Sequence, residues 1–431
     1  MLRTPPVVLI QVADGSGHPV SDGLVDGALD YETALAGASA ELPEDLAAGW
    51  SGDDLNLCYT GGTTGMPKGA MWRQEDFLIA ALGVRRRDGN EYSSMQELVA
   101  DARGTVRALP APPLMHGAAH WNASVVLGGR GTVVIQDHPA HFDAVDVLDA
   151  AERHGATSLL VVGDPMARPL VDELERSPRS LPRLRHILSG GAVLSAETKG
   201  RLQSLLEDVT IVDVLGSTES GRQAVGTTRP GQVPGDRFVP ADTSVVLSED
   251  LDEVLAPQDH AVGWLAQSGR VPLGYLNDPL KSAATFPVIG STRYAVPGDR
   301  ARWGADGSIE LLGRDSACIN TGGEKVFAEE VETALKTHPA VWDAVVCGRP
   351  SDRWGSEVVA VVSLRRDRAA GGDPDDDELR SAAAAHLASY KLPKAIIRVE
   401  EVVRAPSGKA DYRWARAMAE CPPPPSPPLA N

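Results

Sequence analysis

Apolar residues occur along this chain in two patterns. Val7–Val12, Asn56–Tyr59, Gly131–Gln136, Ser158–Val162 and Thr210–Val214 are short continuous runs, most of them rich in β-branched residues. Runs of this length and composition predict buried strands. In Ala144–His154 and Ser195–Leu206 the apolar positions are spaced instead, with Val145, Leu148 and Ala151 or Glu152 tracing a helical period in the first. Strand alternating with helix predicts an α/β fold of parallel or mixed sheets flanked by helices.

The texture changes near residue 313. Asn320–Gly323 reads as a bend, Phe327–Lys336 as a helix, Val341–Cys347 and Val358–Leu364 as strands. Asp375–Leu387 reads as a helix opened by an acidic run, which suits the positive end of the helix dipole. Ala395–Val399 is a last strand. The reading is therefore a large domain over 1–313, a hinge at 314–316, a small mobile α+β domain over 317–418, and a proline-rich tail over 419–431, disordered or polyproline in conformation. No internal repeat is found.

Composition narrows the function. Of 431 residues, 42% are hydrophobic and 23% charged, as in an ordinary globular protein. A net charge of −18, from 59 acidic and 41 basic residues, argues against a general nucleic-acid binder while leaving room for a small anion held by local positive groups. Cys58, Cys318, Cys347 and Cys421 are scattered with no CxxC pair, which favours reduced thiols and a cytoplasmic location over a disulfide framework or a zinc site. No run approaches the length of a membrane span.

The chemistry concentrates in five segments. Tyr59-Thr-Gly-Gly-Thr-Thr-Gly-Met-Pro-Lys68-Gly69 follows an apolar run and crowds glycines and hydroxyls around one lysine. Such a loop lets backbone N–H groups approach a polyphosphate, though no G-K-[ST] closes it as in a P-loop. A lone loop of this kind is also an ordinary turn. Asp213–Gly221 ends a strand in Thr218-Glu219, where a hydroxyl and a carboxylate can meet a phosphate and Mg²⁺, or simply cap a helix. Gly298-Asp299 precedes a hairpin over Trp303–Leu312, and its carboxylate is either a turn residue or a ribose ligand. Gly313-Arg314-Asp315-Ser316 and Gly322-Gly323 lie at the change of texture. Pro406-Ser407-Gly408-Lys409 closes the series; a lysine there is normally a solvated surface residue.

In this order the five segments, from about Leu55 to Tyr412, resemble the adenylate-forming superfamily: acyl-CoA synthetases, adenylation domains of peptide synthetases, and luciferases. Tyr59–Trp72 with Arg73-Gln-Glu-Asp76, and Gly322-Gly-Glu-Lys-Val326, are most similar to bacterial acyl-CoA synthetases for long fatty acids and steroid side chains. The resemblance implies ATP, Mg²⁺ and coenzyme A acting on a carboxylic acid, first to acyl-AMP and then to a thioester. It implies that Thr60, Gly61, Gly62, Thr63, Thr64, Gly65 and Lys68 hold the β- and γ-phosphates. Gly190, Gly191 and Ala192, after Ser189, would line the adenine pocket. Thr218 would touch the α-phosphate, Glu219 would bind the metal, and Asp299, with Arg314 nearby, would take the ribose. Lys409 would bridge substrate carboxylate and α-phosphate, and His116, in Pro113-Leu-Met-His116-Gly, would lie beside the acyl group, though a packed loop histidine reads equally well. Gly322 and Gly323 would line the thiol's path after the small domain rotates. Small residues at Gly117, Ala118 and Ala119 would admit a bulky acyl chain. A homodimer is left open, as are delivery to a carrier protein and an inactive remnant.

Three departures stand out. Leu215 replaces the aromatic residue that stacks on adenine in the family. The hinge position, often aspartate, falls on Ser316, with Asp315 one residue earlier. The glycine-rich loop starts at residue 59, so more than a βαβ-sized block, about 30 residues or more, is expected to be missing ahead of it. The expectation is a large domain incomplete at its N-terminus that folds poorly or has low activity.

Overall fold

The computed structural model describes residues 8–12, 24–41, 49, 51–60, 67–86, 88–139, 141–235, 237–365, 373–405 and 408–421. The chain divides into two compact units, Met1–Ser51 and Gly52–Asn431. In the first, strands Leu9–Gln11 and Ala28–Asp30 pair in parallel and helix Tyr31–Ala36 follows, capped by the Asp30 carboxylate on the Thr33 N–H at 2.8 Å. The run 7–12 was expected to be a buried strand. The strand is there, but Val8, Leu9, Ile10 and Val12 are exposed: among the described residues of this unit, a two-stranded ribbon and a six-residue helix bury little apolar surface.

The second unit is built on a seven-stranded sheet. Its order is Val239–Pro240, Gly221–Thr228, Thr210–Ser217, His186–Gly190, Ser158–Val161, Arg107–Pro110 and Thr132–Val133. Pairing is parallel from Thr210–Ser217 to the Thr132–Val133 edge and antiparallel beyond Thr210–Ser217. The expected run 131–136 contributes only those two edge residues. Helices Ala144–Arg153, Gly163–Arg176 and Ala196–Leu205 cover the sheet and bury Leu148, Leu159, Leu170, Ile187, Leu202 and Ile211 in one core. Each such side chain contributes about 1.5–3 kcal/mol by leaving water. The Asp143 and Ser195 side chains cap two of these helices by accepting from backbone N–H groups of the first turn. The buried face of the first is set by Val147, Leu148, Ala150 and Ala151, so Val145 turns outward.

Two smaller sheets position the candidate site. Leu55–Thr60 pairs antiparallel with Lys68–Arg73, which pairs with Gly274–Tyr275. The expected buried strand 56–59 is thus an antiparallel edge strand whose Leu55, Leu57 and Tyr59 are exposed. A five-stranded sheet, Val254–Leu255, Ser244–Leu247, Gly263–Gln267, Asp299–Trp303 and Ile309–Arg314, ends in the expected hairpin.

After Arg314 comes a short 3₁₀ turn, Asp315–Ala317, and then a smaller α+β portion. Val341–Ser351 and Gly355–Leu364 pair antiparallel, with Ala395–Val399 parallel at the edge. Alternate residues face opposite layers. Val346, Val358, Ala360 and Val362 meet helices Ala328–Leu335 and Asp376–Ala384, while Val345, Cys347, Val359 and Val361 meet Ala415 and Ala419 of helix Tyr412–Glu420. That last helix runs past residue 418, and the rest of the proline-rich tail lies outside the described residues. All four cysteines are free, and no helix among the described residues is long and apolar enough to cross a membrane.

Candidate active site

The glycine-rich segment connects two paired strands, with Thr60 opposite Lys68 in the ladder. Both of its flanks are therefore strands of one antiparallel pair. Gly61, Gly62, Thr63, Thr64 and Gly65 lie outside the described residues. Lys68 makes an ion pair of 2.6 Å with Asp278, both side chains about one-third exposed, and its ammonium lies 5.7 Å from the ring centre of Tyr275. The lysine draws the Asp278 carboxyl below its ordinary range, aided by the Lys281 N–H at the cap of helix Pro279–Thr285.

Thr218 and Glu219 sit in the turn between Thr210–Ser217 and Gly221–Thr228, so they cap no helix. The buried indole of Trp72 donates to the Thr218 carbonyl at 2.9 Å, and the Tyr275 hydroxyl donates to Glu219 Oε1 at 2.7 Å. Burial, then the Glu219 charge and this hydrogen bond, push the Tyr275 hydroxyl well above its usual pKa, so it remains a donor. Leu215, expected to leave adenine unstacked, is half-buried against the core formed by Val246, Leu265, Ala301, Trp303 and Ile309.

Asp299 is buried at the start of its strand and faces Arg314 across the hairpin, with Arg314 Nε 3.1 Å from Oδ1. The Asp299 charge raises the Arg314 pKa further. Next to them Arg300 is buried, stacked over Trp264 at 4.1 Å, paired with Glu249, and 3.8 Å from Asp315 at the proposed hinge. Ser316 is exposed.

Two glycines show how closely the parts meet. Gly191 has φ +89°, and a Cβ there would lie 3.6 Å from Lys409 Cε and 3.8 Å from His116 Cε1. Gly408 has φ +80°, and its Cβ would press on Val162 Cγ1 at 3.2 Å. Both positions have a left-handed backbone that glycine adopts without strain, and at Gly408 a Cβ would also crowd Val162. The loop before Lys409 is fastened from behind. Arg404 makes two hydrogen bonds to the Asp343 carboxylate, at 2.6 and 2.7 Å, and donates to the Gly408 carbonyl at 3.1 Å.

The structure thus gathers His116, Gly191, Glu219, Asp299, Arg314 and Lys409 around one site. Lys409 is exposed, yet the protein around it and then the Arg314 charge lower its pKa, while Glu219 and Asp299 oppose that fall. His116 precedes helix Gly117–Gly128, and its buried Nδ1 has no hydrogen-bond partner. Burial, with the Lys409 charge adding, pushes it down to about 4, so it is neutral at pH 7. A Cβ on Gly117 would lie 3.9 Å from Thr218 Oγ1, which sets Gly117 beside the Thr-Glu turn. Gly190 and Ala192 flank Gly191 at the end of strand His186–Gly190. Gly322 and Gly323 do not join the cluster. They form the exposed turn between Cys318–Thr321 and Glu324–Phe327, where Gly322 donates to the Trp354 carbonyl.

No group of three or more acidic, histidine or cysteine side chains fit to hold a metal occurs among the described residues. A single carboxylate, Glu219, suits Mg²⁺ that arrives on substrate phosphates, since this ion keeps waters and takes only one or two protein carboxylates in such sites. Sequence reasoning missed Trp72, Tyr275 and Asp278. The Asn-Asp-Pro start of helix Pro279–Thr285 gave a cap signal for Asp278, but no spacing pairs Tyr275 with Glu219, 56 positions away.

Comparison with known proteins identifies the family. The AMP-binding enzyme family matches residues 7–275, and the AMP-binding enzyme C-terminal domain matches 330–409. The chain is 50% identical over 416 residues to the medium-chain acyl-CoA ligase Mig of Mycobacterium avium, covering 96% of this chain and 74% of that one. It is 40% identical to a 3-oxocholest-4-en-26-oate–CoA ligase of Rhodococcus rhodochrous, covering 96% and 75%. Among solved structures, ATP-bound MatB from Rhodopseudomonas palustris superposes with a TM-score of 0.68 at 25% identity, covering 88% of this chain and 72% of that one.

Proposed function

This chain belongs to the AMP-binding enzyme family and is an AMP-forming acid–thiol ligase that uses ATP, Mg²⁺ and coenzyme A, and we propose that its acid is a medium- to long-chain fatty acid or a steroid side-chain acid. The observation that carries the assignment of the site is the gathering of Lys409, Glu219, Asp299 and Arg314 from four separate segments beside Gly191 and His116.

The reaction begins with two anions that must meet. A carboxylate oxygen of the acid attacks the α-phosphorus of ATP, the bond to the bridging oxygen breaks, and pyrophosphate leaves with the electron pair. Lys409 offsets charge on the carboxylate and α-phosphate as they approach. Thr60, Thr63, Thr64 and Lys68 hold the departing phosphates, and Asp278 releases Lys68 to them. Thr218 contacts the α-phosphate and Asp299 takes the ribose hydroxyls, with Arg314 holding that carboxylate in place. Mg²⁺ carried on the nucleotide and met by Glu219 supplies further charge neutralisation at the phosphates. His116, with its imidazole uncharged, borders the acyl group without adding a competing cation.

In the second step the coenzyme A thiolate attacks the acyl carbonyl and AMP leaves. In our reading the smaller portion, 317–418, then turns about residues 314–316, withdraws Lys409 and brings Gly322-Gly323 to the thiol's path. The reaction takes place in the cytoplasm, where both co-substrates are at hand. The test is a panel of carboxylates, from medium to very long chain with steroid side-chain and aromatic acids, assayed for ATP-dependent thioester with free coenzyme A. Thioester with the long aliphatic or steroid acids is the expected result. Pyrophosphate release without thioester would point to a carrier protein as acceptor, and turnover of aromatic acids alone would overturn the substrate class.

A further inference from the structure

Glu219 stands on a three-residue turn with no helix or strand of its own to fix it. A glutamate there would sample many rotamers, and ordering it for a cation costs side-chain entropy. Two aromatic residues from neighbouring strands act on this turn. Trp72 holds its backbone through the Thr218 carbonyl, and Tyr275 holds its carboxylate through Oε1. We propose that Tyr275 is a positioning residue for the adenylation step: its hydroxyl fixes Glu219 so that Oε2 faces the nucleotide's metal, and its ring forms the floor beneath Lys68. The inference rests on the reading of Glu219 as the carboxylate that meets Mg²⁺.

Tyr275 is itself over-determined. It is 5% exposed, pairs with Ala70 across the ladder, and donates its backbone N–H to the Ser282 hydroxyl oxygen at 2.8 Å. The Ser282 hydroxyl donates in turn to the Asp278 carbonyl at 2.6 Å. Its ring packs against Phe286 with centres 5.7 Å apart and planes at 57°. A phenol so fixed can carry its hydroxyl to one place only. The hydrogen bond occupies one carboxylate oxygen and leaves the other open, as expected of an outer partner that orients a metal ligand. The same short segment supplies Asp278, the counter-ion of Lys68. One turn therefore arranges both the metal carboxylate and the phosphate lysine before ATP arrives. Tyr275 also belongs to an apolar cluster with Ala70, Trp72, Phe77 and Phe286, so a purely packing role is the competing explanation.

Tyr275→Phe separates the two, because it removes the hydroxyl and keeps the ring. Three readouts are needed on the full chain: pyrophosphate release as a function of Mg²⁺ at saturating ATP, Mn²⁺ binding in the presence of a non-hydrolysable ATP analogue followed by electron paramagnetic resonance, and thioester formation from supplied acyl-AMP. The variant is expected to need about 10–100-fold more metal in the first two, the usual cost of losing an outer-sphere partner. Its thioester formation from acyl-AMP and its melting temperature should match the parent. An unchanged metal requirement, or an equal loss in both half-reactions with a lower melting temperature, would overturn the proposal in favour of packing. Glu219→Gln, run beside it, tells the two readings apart. If that change leaves the metal requirement untouched, Glu219 is not the metal carboxylate and Tyr275 falls with it. If it raises the requirement while Tyr275→Phe does not, the Tyr275 inference alone fails.

Discussion

Lys68 and Lys409 carry the same charge toward the same site, and the molecule holds them by opposite means. Lys68 rises from a strand whose neighbour, Gly274–Tyr275, leads into the helix cap that supplies its counter-ion, so its charge is balanced at 2.6 Å before any ligand binds. Lys409 rides on a loop of the smaller portion and, among the described residues, has no ion-pair partner; its charge is balanced only by the field of Glu219 and Asp299 against that of Arg314. The first arrangement binds and releases. The second is suited to a charge that must be strong when the transition state forms and absent afterwards. A lysine with a close partner would have to break it in every cycle, whereas one poised over a glycine can arrive and leave on the movement of its loop.

The sharpest way to break this contrast is to remove each lysine in turn. Lys409→Ala should lower acyl-AMP formation about 10²–10³-fold, the usual cost of a missing donor at developing charge. Thioester formation from supplied acyl-AMP should be preserved. Equal loss in both half-reactions would mean that Lys409 shapes the site and does not act on the first step. Lys68→Ala is expected to do less, raising the ATP requirement about tenfold, which is about 1.4 kcal/mol, with a smaller change in turnover. Asp278→Asn keeps the helix cap and removes the competing charge, so it should shift ATP affinity in the opposite direction. If both changes weaken ATP equally, Asp278 contacts the nucleotide and is not a resting place for the lysine.

The two lysines were not equally legible in the sequence. Lys68 sits in a glycine-rich run whose composition alone points to phosphate. Lys409, in Pro406-Ser407-Gly408-Lys409, reads as a surface residue until the other four segments are placed in order. The site gathers residues from strand ends and hairpin turns, and periodicity predicts those elements but not which ends converge. Local signals did well where they are physical: Ser195 and Asp375, the first residues of two expected helical segments, cap those helices. They failed where a run of apolar residues was taken to mean burial. Leu55, Leu57 and Tyr59 form a strand, yet an antiparallel edge strand needs only one covered face, and these three lie on the other. Trp72 and Tyr275 were invisible because an aromatic residue in an apolar run looks like core. Both are core, and each also spends its one polar atom on the Thr218-Glu219 turn.

The pH profile sharpens the contrast. Lys409 must stay protonated to act, and its pKa is lowered from the ordinary lysine value by its surroundings. Acyl-AMP formation should therefore decline as pH rises through that lowered pKa, earlier than an unperturbed lysine would allow. Lys409→Arg should move the decline to higher pH, because guanidinium does not titrate there. His116 is held neutral down to about 4, so it should add no acid limb near neutrality. Thioester formation from acyl-AMP, which does not need Lys409, should show neither feature, and an alkaline decline shared by both half-reactions would trace to another group.

The smallest effect concerns how firmly Lys409 is kept in place. Glu249 in the large portion reaches Lys325 in the smaller one at 2.9 Å, while its other oxygen pairs with Arg300, whose guanidinium also lies 3.8 Å from Asp315. Lys325 and Glu249 are both about half exposed, so their pair is worth little, about 0.2–1 kcal/mol, and salt screens it. Lys325→Ala should consequently leave the fold intact and change acyl-AMP formation by less than about fivefold. Its use is directional. If the pair favours the arrangement in which Lys409 meets Gly191, its loss should slow the first step and speed the second, and added salt should reproduce part of that shift in the parent but not in the variant. Equal slowing of both steps would show that the pair holds the smaller portion together and has no bearing on which lysine position is occupied.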